Sequence, residues 1–315
     1  MNYRQLGRYG IRLSEVGLGG WLTQGRTLSD DATTQIVHRA FELGINFFDT
    51  ADVYHSGASE RSLGKAVKSL KREDLVIATK CYFPMSDGVN DRNLSRKHIT
   101  ESLHASLKRL GQDYVDLYQF HRFDPTTPLD ETVRAIDDLI RQGKALYWGV
   151  SEWPAECIAE LVAVAKELNA HPPVSNQPLY NMLARGIEPH IMPTCQRNGM
   201  GLVVFSPLAQ GILTGKYAPG KPPPKGSRGA DDKSNMFMKD LLSDATLTKV
   251  DQVRRLAAEH GFELPRFALA WCLRHSAVTS VIIGATSVEQ LEMNARASGA
   301  AVDDALWAQA EELLA

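Results

Sequence analysis

Asp49, Tyr54, Lys80 and His121 are the residue types that together can make a phenol donate a proton near neutral pH. A free tyrosine has a pKa of about 10 and is a reluctant acid or base at pH 7. An ammonium such as Lys80 beside it favours the phenolate and lowers that value. Asp49 would keep Lys80 charged and oriented, and His121 would hydrogen-bond a substrate oxygen and fix its approach. Protonating an oxygen in this way fits reduction of a carbonyl. No side chain supplies hydride, so the chemistry calls for a nicotinamide cofactor.

Each residue also has an ordinary structural use. An Asp after a strand caps a turn, a Lys there is solvated, and a lone His or Tyr sits in a loop. Their shared position sets these four apart. Apolar, β-prone runs precede them: Ile45-Asn46-Phe47-Phe48 before Asp49, Leu75-Val76-Ile77-Ala78 before Thr79-Lys80, and Val115 to Phe120 before His121. Ionisable groups at successive strand ends are what an active site at the C-terminal face of a (β/α)8 barrel requires.

The surrounding pattern supplies the elements that must hold them. A small β-hairpin with a Gly-containing turn is predicted around Gly7 to Gly10, continuing through Ile11 to Val16. Strands are predicted near 16–19, 46–49, 76–79, 115–120, 147–150, 174–176, 201–205 and 280–283. Between them, Ser29, Ser59 and Ser95 are placed to cap helices, Gly44, Gly111 and Gly143 to end them, and Pro154 to start another. Strand and helix alternation over eight strands predicts an α/β fold, a closed (β/α)8 TIM barrel. An open doubly wound sheet is the alternative. Against it, Gly17-Leu18-Gly19-Gly20 runs on into a loop and does not open a helix as a dinucleotide fingerprint would. The stretch Asp304 to Ala315, with Leu306, Trp307, Ala310 and Leu313, reads as a terminal helix packed on the barrel or in an interface, barrel packing first.

A chain of 315 residues, 43% hydrophobic, suits one barrel domain over 1–315 or two smaller domains. The net charge of −2 with mixed signs points to no nucleic-acid stripe and no polybasic membrane patch. No apolar run approaches membrane-spanning length, and Met1 to Leu6 carries no secretory h-region. Four scattered cysteines without a CxxC pair fit free thiols in a cytoplasmic protein. His121 lacks spaced partners and no HExxH occurs, so no metal is expected. No GxSxG elbow supports a serine hydrolase. A glycosidase pair of Asp49 and Asp52 is the weaker reading, because it leaves Lys80 and Tyr54 without a use.

One segment breaks the rhythm. From Gly211 to about Ser243 the chain carries Lys216, Lys221, Lys225, Arg228 and Pro222-Pro223-Pro224. A loop this long in a compact domain is a basic flap over an anionic ligand or a solvated linker, and composition leaves both open.

With these residues in view, the chain resembles the aldo-keto reductase superfamily, in the branch containing the potassium channel β-subunits and their bacterial relatives. The resemblance covers essentially the whole chain. It rests on Gly44-Ile45-Asn46-Phe47-Phe48-Asp49-Thr50-Ala51-Asp52-Val53-Tyr54, Ser59-Glu60, Ala78-Thr79-Lys80 and Leu110-Gly111-Gln112-Asp113-Tyr114-Val115-Asp116-Leu117. It continues through Gly149-Val150-Ser151, Phe205-Ser206-Pro207-Leu208-Ala209-Gln210-Gly211, Leu213 to Tyr217 and Ile282-Ile283-Gly284-Ala285-Thr286.

The resemblance implies NADPH-dependent reduction of aldehydes and ketones. Tyr54 matches the proton donor, Lys80 and Asp49 the residues that tune it, and His121 the carbonyl-orienting position, which is Asn in the channel β-subunits. Ser151 and Gln177 match residues that bind the nicotinamide carboxamide. Gly20 and Trp21 match the loop after the first strand. Phe205 stands where an aromatic ring stacks on nicotinamide. Ser206, Pro207, Leu208 and Gly211 fall in the pyrophosphate cradle, and Lys216 and Arg228 on the loop folding over the dinucleotide, which makes 211–243 a cofactor clasp. Gly284, Thr286, Gln290 and Asn294 match the adenosine-phosphate site. Glu152 replaces an Asn or Arg beside the nicotinamide, and Met293 a Glu near the adenine; Arg228, Thr286 and Gln290 favour NADPH over NADH. Trp21, Tyr82 and Trp153, with Tyr54 and His121, would wall the substrate pocket, with packing at the barrel rim an equal alternative for Tyr82 and Trp153. A second implied function is a nucleotide-sensing subunit that partners a membrane protein. The start near the hairpin, without a long inactivating extension, favours a free-standing enzyme. The resemblance is compatible with a homo-oligomer such as a tetramer and equally with a monomer, as in many relatives, and it implies a small carbonyl compound as substrate.

Overall fold

The computed structural model describes residues 1–231, 235 and 238–315; the stretches 232–234 and 236–237 of the predicted clasp lie outside the described residues. The hairpin pairs β1 (Tyr3–Gln5) with β2 (Arg12–Ser14) antiparallel, Arg4 opposite Leu13. Eight strands then close a parallel barrel: β3 (Val16–Gly19), β4 (Phe47–Asp49), β5 (Val76–Cys81), β6 (Val115–Phe120), β7 (Ala145–Ser151), β8 (Ser175–Gln177), β9 (Gly201–Phe205) and β10 (Val278–Ile283). β10 pairs with both β9 and β3, which closes the ring, and each stave lies beside its sequence neighbour as expected of a (β/α)8 barrel.

Leu6 and Leu13 of the hairpin are fully buried with Phe47, Val76, Ala78, Leu117, Val174, Val203 and Ile282, one layer of the barrel interior. The hairpin therefore plugs the end opposite the predicted site. Its turn needs glycine: Gly7 has φ +59°, and a Cβ there would stand 2.2 Å from the Gly199 carbonyl oxygen.

The outer helices are α1 (Asp30–Glu42), α2 (Ala58–Val67), α3 (Arg96–Leu110), α4 (Leu129–Arg141), α5 (Ala155–Glu167), α6 (Ile191–Arg197), α7 (Asp244–Glu259), α8 (Leu264–Leu273), α9 (Val288–Ala295) and α10 (Asp304–Leu314). Ser29 and Ser95 cap α1 and α3 as predicted, each accepting a backbone N–H. Ser59 does not cap α2. Gly57, with φ +78°, holds that place, and the buried Ser59 hydroxyl instead accepts from Thr50 Oγ1 at 3.0 Å. The helix start is thereby tied to the top of β4. α10 packs on the barrel's outer layer, with Trp307 4.6 Å from Phe267 of α8 and Glu311 accepting from Trp271 Nε1.

Candidate active site

Strand alternation decides which side chains reach the site. On β4, Phe47 belongs to the interior layer, Phe48 points to the outer core, and Asp49 turns inward again. On β5, Ala78 is interior, so Lys80 two residues on is too; β5 runs past the predicted end and carries Lys80 within the strand. On β6, Leu117 is interior and Gln119 follows it. Asp49, Lys80, Gln119 and Gln177 thus form one polar layer above an apolar one, all of them 3% exposed or less.

Every donor of Lys80 is used. Its Nζ donates to Asp49 Oδ2 at 2.6 Å, to the Thr50 carbonyl at 2.8 Å and to Tyr54 Oη at 3.4 Å. Asp49 Oδ1 accepts from Gln177 Nε2 at 2.9 Å and Gln119 Nε2 at 3.3 Å. Burial works most strongly against the Lys80 charge, but Asp49 and Tyr54 together outweigh it and hold the ammonium pKa above its ordinary value. Tyr54 departs from the expected direction. Burial raises its phenol above the ordinary value, and Asp49 adds to this; Lys80 opposes both without prevailing. The physical reason is burial first, with the Asp49 carboxylate offsetting part of the Lys80 attraction. Tyr54 is therefore protonated at neutral pH, with its oxygen already accepting from Lys80 and its O–H free to donate.

His121 follows β6, its backbone N–H donating to Cys81 O at 2.9 Å. Its ring stands 5.7 Å from that of Tyr54, nearly perpendicular, and 5.1 Å from Phe83. Burial, then Lys80 and Arg122, hold the imidazole pKa well below its ordinary value, so the ring is neutral at pH 7. Its Nδ1 is buried with no hydrogen-bond partner among the described residues. A neutral imidazole beside a protonated phenol is a pair of hydrogen-bond donors for one oxygen.

Of the predicted pocket walls, Trp21 is half-buried, its carbonyl accepting from His55 Nε2 at 2.8 Å, and Tyr82 packs edge-on to Phe83. Trp153 is fully buried, edge-on to Phe123 at 5.0 Å, so its ring serves the core rather than an open wall.

The residues matched to a dinucleotide lie around this centre. The Ser151 hydroxyl donates to the Gln177 carbonyl at 2.8 Å. Glu152 adopts φ +57° and turns its carboxylate onto the Leu179 N–H at 2.6 Å, which takes that charge away from the opening. A Cβ at Gly20 would stand 2.5 Å from the Ser59 hydroxyl, so the loop after β3 packs tightly only with glycine there. Phe205 ends β9 half-buried. Beyond it, Pro207 and Leu208 lead into a turn in which Ser206, Ala209, Gln210 and Gly211 all have positive φ. Non-glycine residues held in that region mark functional sites, and successive turns of this kind aim backbone N–H groups at anions.

Lys216 folds its ammonium back over the turn, 3.4 Å from where a Cβ at Gly211 would be. Arg228 closes the turn from above: its guanidinium lies 5.3 Å from the Trp21 ring centre and donates to Gln210 Oε1. Burial lowers it to about 10, Tyr217 opposing and Arg26 assisting, so it stays charged at neutral pH. Gly284 follows β10 with open space where a side chain would be. Thr286 donates through both N–H and hydroxyl to Gln290 Oε1, beside the N-terminus of α9, and Asn294 is buried in that helix. Two cations, a strained turn and an open glycine at a helix start fit a dinucleotide's phosphates.

Sequence reasoning missed Gln119, whose signal was its place two residues after the interior Leu117. It also missed Asn181, whose Nδ2 donates to the Ser206 carbonyl at 3.0 Å and braces the turn. A groove of about 680 Å³ between α5 and α6, lined by Glu156, His190, Thr194 and Arg197 among others, lies away from these groups. Among the described residues, no group of His, Cys, Asp or Glu is placed to hold a metal, and no helix is long and apolar enough to cross a membrane.

Comparison with known proteins agrees with the barrel fold. The model of the Aldo/keto reductase family matches residues 15–315. A probable voltage-gated potassium channel subunit beta of Oryza sativa subsp. japonica is 42% identical over 300 residues, 94% of this chain and 91% of the relative. Its counterpart in Arabidopsis thaliana is 41% identical over the same shares. A putative voltage-gated potassium channel subunit beta of Schizosaccharomyces pombe is 44% identical over 303 residues, 94% of this chain and 87% of the relative. With a family match over nearly its whole length and relatives this similar, the chain belongs to the aldo/keto reductase family.

Proposed function

We propose that this protein reduces aldehydes and ketones to alcohols with NADPH, using Tyr54 as proton donor. The carrying observation is the hydrogen-bonded chain from buried Asp49 and Lys80 to half-buried Tyr54, which ends in a protonated phenol beside a neutral imidazole. A nicotinamide dinucleotide, when bound, supplies the hydride. The residues of this chain do the rest. Tyr54 and His121 both donate to the carbonyl oxygen and polarise it. As negative charge develops there, Tyr54 releases its proton, and the Lys80 ammonium at 3.4 Å stabilises the phenolate left behind. Asp49 keeps Lys80 charged, and Gln177 and Gln119 keep Asp49 in place.

Ser151 and Gln177 would hold the carboxamide, Phe205 the ring face, the Ser206–Gly211 turn the pyrophosphate, Lys216 and Arg228 the loop that folds over the dinucleotide, and Gly284, Thr286, Gln290 and Asn294 the adenosine end. Arg228, Thr286 and Gln290 support a preference for NADPH. In this reading, residues 1–315 are one cytoplasmic domain in which 211–243 is the clasp.

The names of the relatives support a second reading, in which the protein is a cofactor-loaded subunit of slow turnover attached to a membrane channel. One experiment separates the two: single- and multiple-turnover NADPH oxidation with aromatic and short aldehydes, wild type beside Tyr54→Phe. Repeated turnover that falls about 10²–10⁴-fold in the variant supports the reductase. One slow turnover with retained cofactor favours the subunit reading. Equal rates in both proteins defeat the Tyr54 mechanism.

A further inference from the structure

Tyr54, His121, Phe83 and Arg122 are linked by successive contacts. Ring centres are 5.7 Å apart between Tyr54 and His121 and 5.1 Å between His121 and Phe83, and the Arg122 guanidinium carbon lies 5.7 Å from the Phe83 centre. Arg122 is half-buried, and its Nη1 donates to the His121 carbonyl at 2.5 Å. That bond pins one corner of the guanidinium to the His121 backbone, with the rest of the group over Phe83, whose ring packs on the imidazole. Nε and Nη2 have no hydrogen-bond partner among the described residues, so the paired edge that suits carboxylate or phosphate is left open. The proximity is also felt electrostatically: Arg122 lowers the pKa of both Tyr54 and His121.

The acids that could neutralise Arg122 are engaged elsewhere. Asp124 accepts from the Leu94 and Thr126 N–H groups and from the Thr126 and Thr127 hydroxyls, all within 2.9 Å. Glu152 is turned onto the Leu179 N–H. Asp91 accepts from Ser86 and faces His98, and Asp49 is held by Lys80 and Gln177. No ion pair among the described residues uses Arg122. A guanidinium beside a ring that seats the substrate, anchored at one corner and left without a counter-ion, is arranged to receive one.

We infer that Arg122 recognises an anionic group on the substrate, and that the preferred substrates are carbonyl compounds bearing a carboxylate or phosphate. The inference rests on the carbonyl-reductase reading of the same site. Arg122 is a specificity residue here and takes no part in proton transfer.

The test compares matched pairs: 4-carboxybenzaldehyde against its neutral methyl ester, and 4-formylphenyl phosphate against 4-methoxybenzaldehyde. Each is measured with wild type, Arg122→Gln and Arg122→Lys. The expected result is an anionic-to-neutral kcat/KM ratio of about tenfold or more in wild type. The ratio collapses in Arg122→Gln through KM and is partly restored in Arg122→Lys. Whichever pair shows the larger wild-type ratio identifies the anion. A wild-type ratio near one, or the same ratio in Arg122→Gln, overturns the inference. So does an equal fall in kcat for both members of a pair, which would mean that Arg122 only positions His121. If no aldehyde is turned over, the reductase reading fails but binding still decides. Terephthalate binding to the NADPH-loaded protein, followed by calorimetry, weakens about tenfold in Arg122→Gln if the inference holds and is unchanged if it does not.

Discussion

Gln177 Nε2 donates to Asp49 Oδ1 at 2.9 Å, so the carboxylate whose other oxygen holds Lys80 is fixed from the opposite side of the barrel. β8 and β4 are not neighbours in the ring, and the bond spans its interior. Gln119 assists at 3.3 Å, a longer and weaker contact. Gln177→Leu keeps most of the volume and removes the stronger donor from a buried, charged acceptor. We expect a stability loss of about 1.5–3 kcal/mol in the cofactor-free protein, measured by urea unfolding. An unchanged midpoint would show that Gln119 alone suffices.

The Lys80–Asp49 pair is almost completely buried, with side chains 0% and 4% exposed. Such a pair contributes little net stability, yet breaking it strands a charge. Lys80→Met should therefore cost about 3–5 kcal/mol, because Asp49 is left with only neutral donors. Adding Asp49→Asn to that variant removes the stranded charge and should recover part of the loss. A double-mutant cycle in urea checks the sign. Strictly additive losses would mean that the two side chains act independently.

Much of this site was legible in the sequence because its parts obey short-range rules. Asp49, Lys80 and His121 announce themselves as ionisable residues ending apolar β-prone runs, and closure of the barrel brings those ends together. The hairpin and the caps at Ser29 and Ser95 are equally local. What sequence could not supply depends on three-dimensional balance. The direction of the Tyr54 shift is set by burial against a partly offset ammonium, which no spacing reveals. Ser59 looks like a cap, but its hydroxyl is needed by Thr50, a partner fixed by packing. α6 and α8 went unread for want of amphipathic or capping signals, whereas α7 carries a Ser243 cap that lay at the end of the long basic segment. α6 has no side-chain cap, and α8 is buried on nearly every face, so it has no amphipathic stripe.

Asp52, two residues before Tyr54, is fully buried, accepting from Val53 N–H at 2.6 Å and Ser102 Oγ at 2.7 Å. Burial raises its carboxyl from 3.8 to about 7; nearby Glu60 adds to the rise, while Ser102, Val53 and Arg109 oppose it. Between those values the folded protein holds a proton that the unfolded chain releases. This stabilisation is complete below 3.8 and is lost as pH rises through about 7. Asp52→Asn cannot ionise, so its stability relative to wild type should improve as pH rises from about 5 to about 9. Urea midpoints of both proteins across that range check it. A difference that stays constant with pH would mean that Asp52 is already ionised in the folded protein at the lower limit.

Arg228 bridges the predicted clasp to the barrel, lying over Trp21 and donating to Gln210 of the strained turn. The Gly229 N–H donates to Tyr217 Oη at 3.1 Å, so both ends of the loop's inner edge are tied to buried or half-buried groups. Under the proposed function, these contacts gate release of the dinucleotide as well as its binding. Arg228→Leu keeps an apolar contact with Trp21 but removes the charge and the hydrogen bond to Gln210. We expect NADPH to dissociate at least about tenfold faster, because a charge-assisted contact contributes on the order of 1.5–3 kcal/mol. The preference for NADPH over NADH should narrow at the same time. Stopped-flow fluorescence of bound NADPH, chased with excess NADP⁺, gives the rate directly, and the same measurement with NADH gives the ratio. Faster release of both cofactors by the same factor would place Arg228 on the shared pyrophosphate. A larger factor for NADPH would place it on the 2′-phosphate. An unchanged rate for both would show that residues 211–243 do not close over the dinucleotide through Arg228.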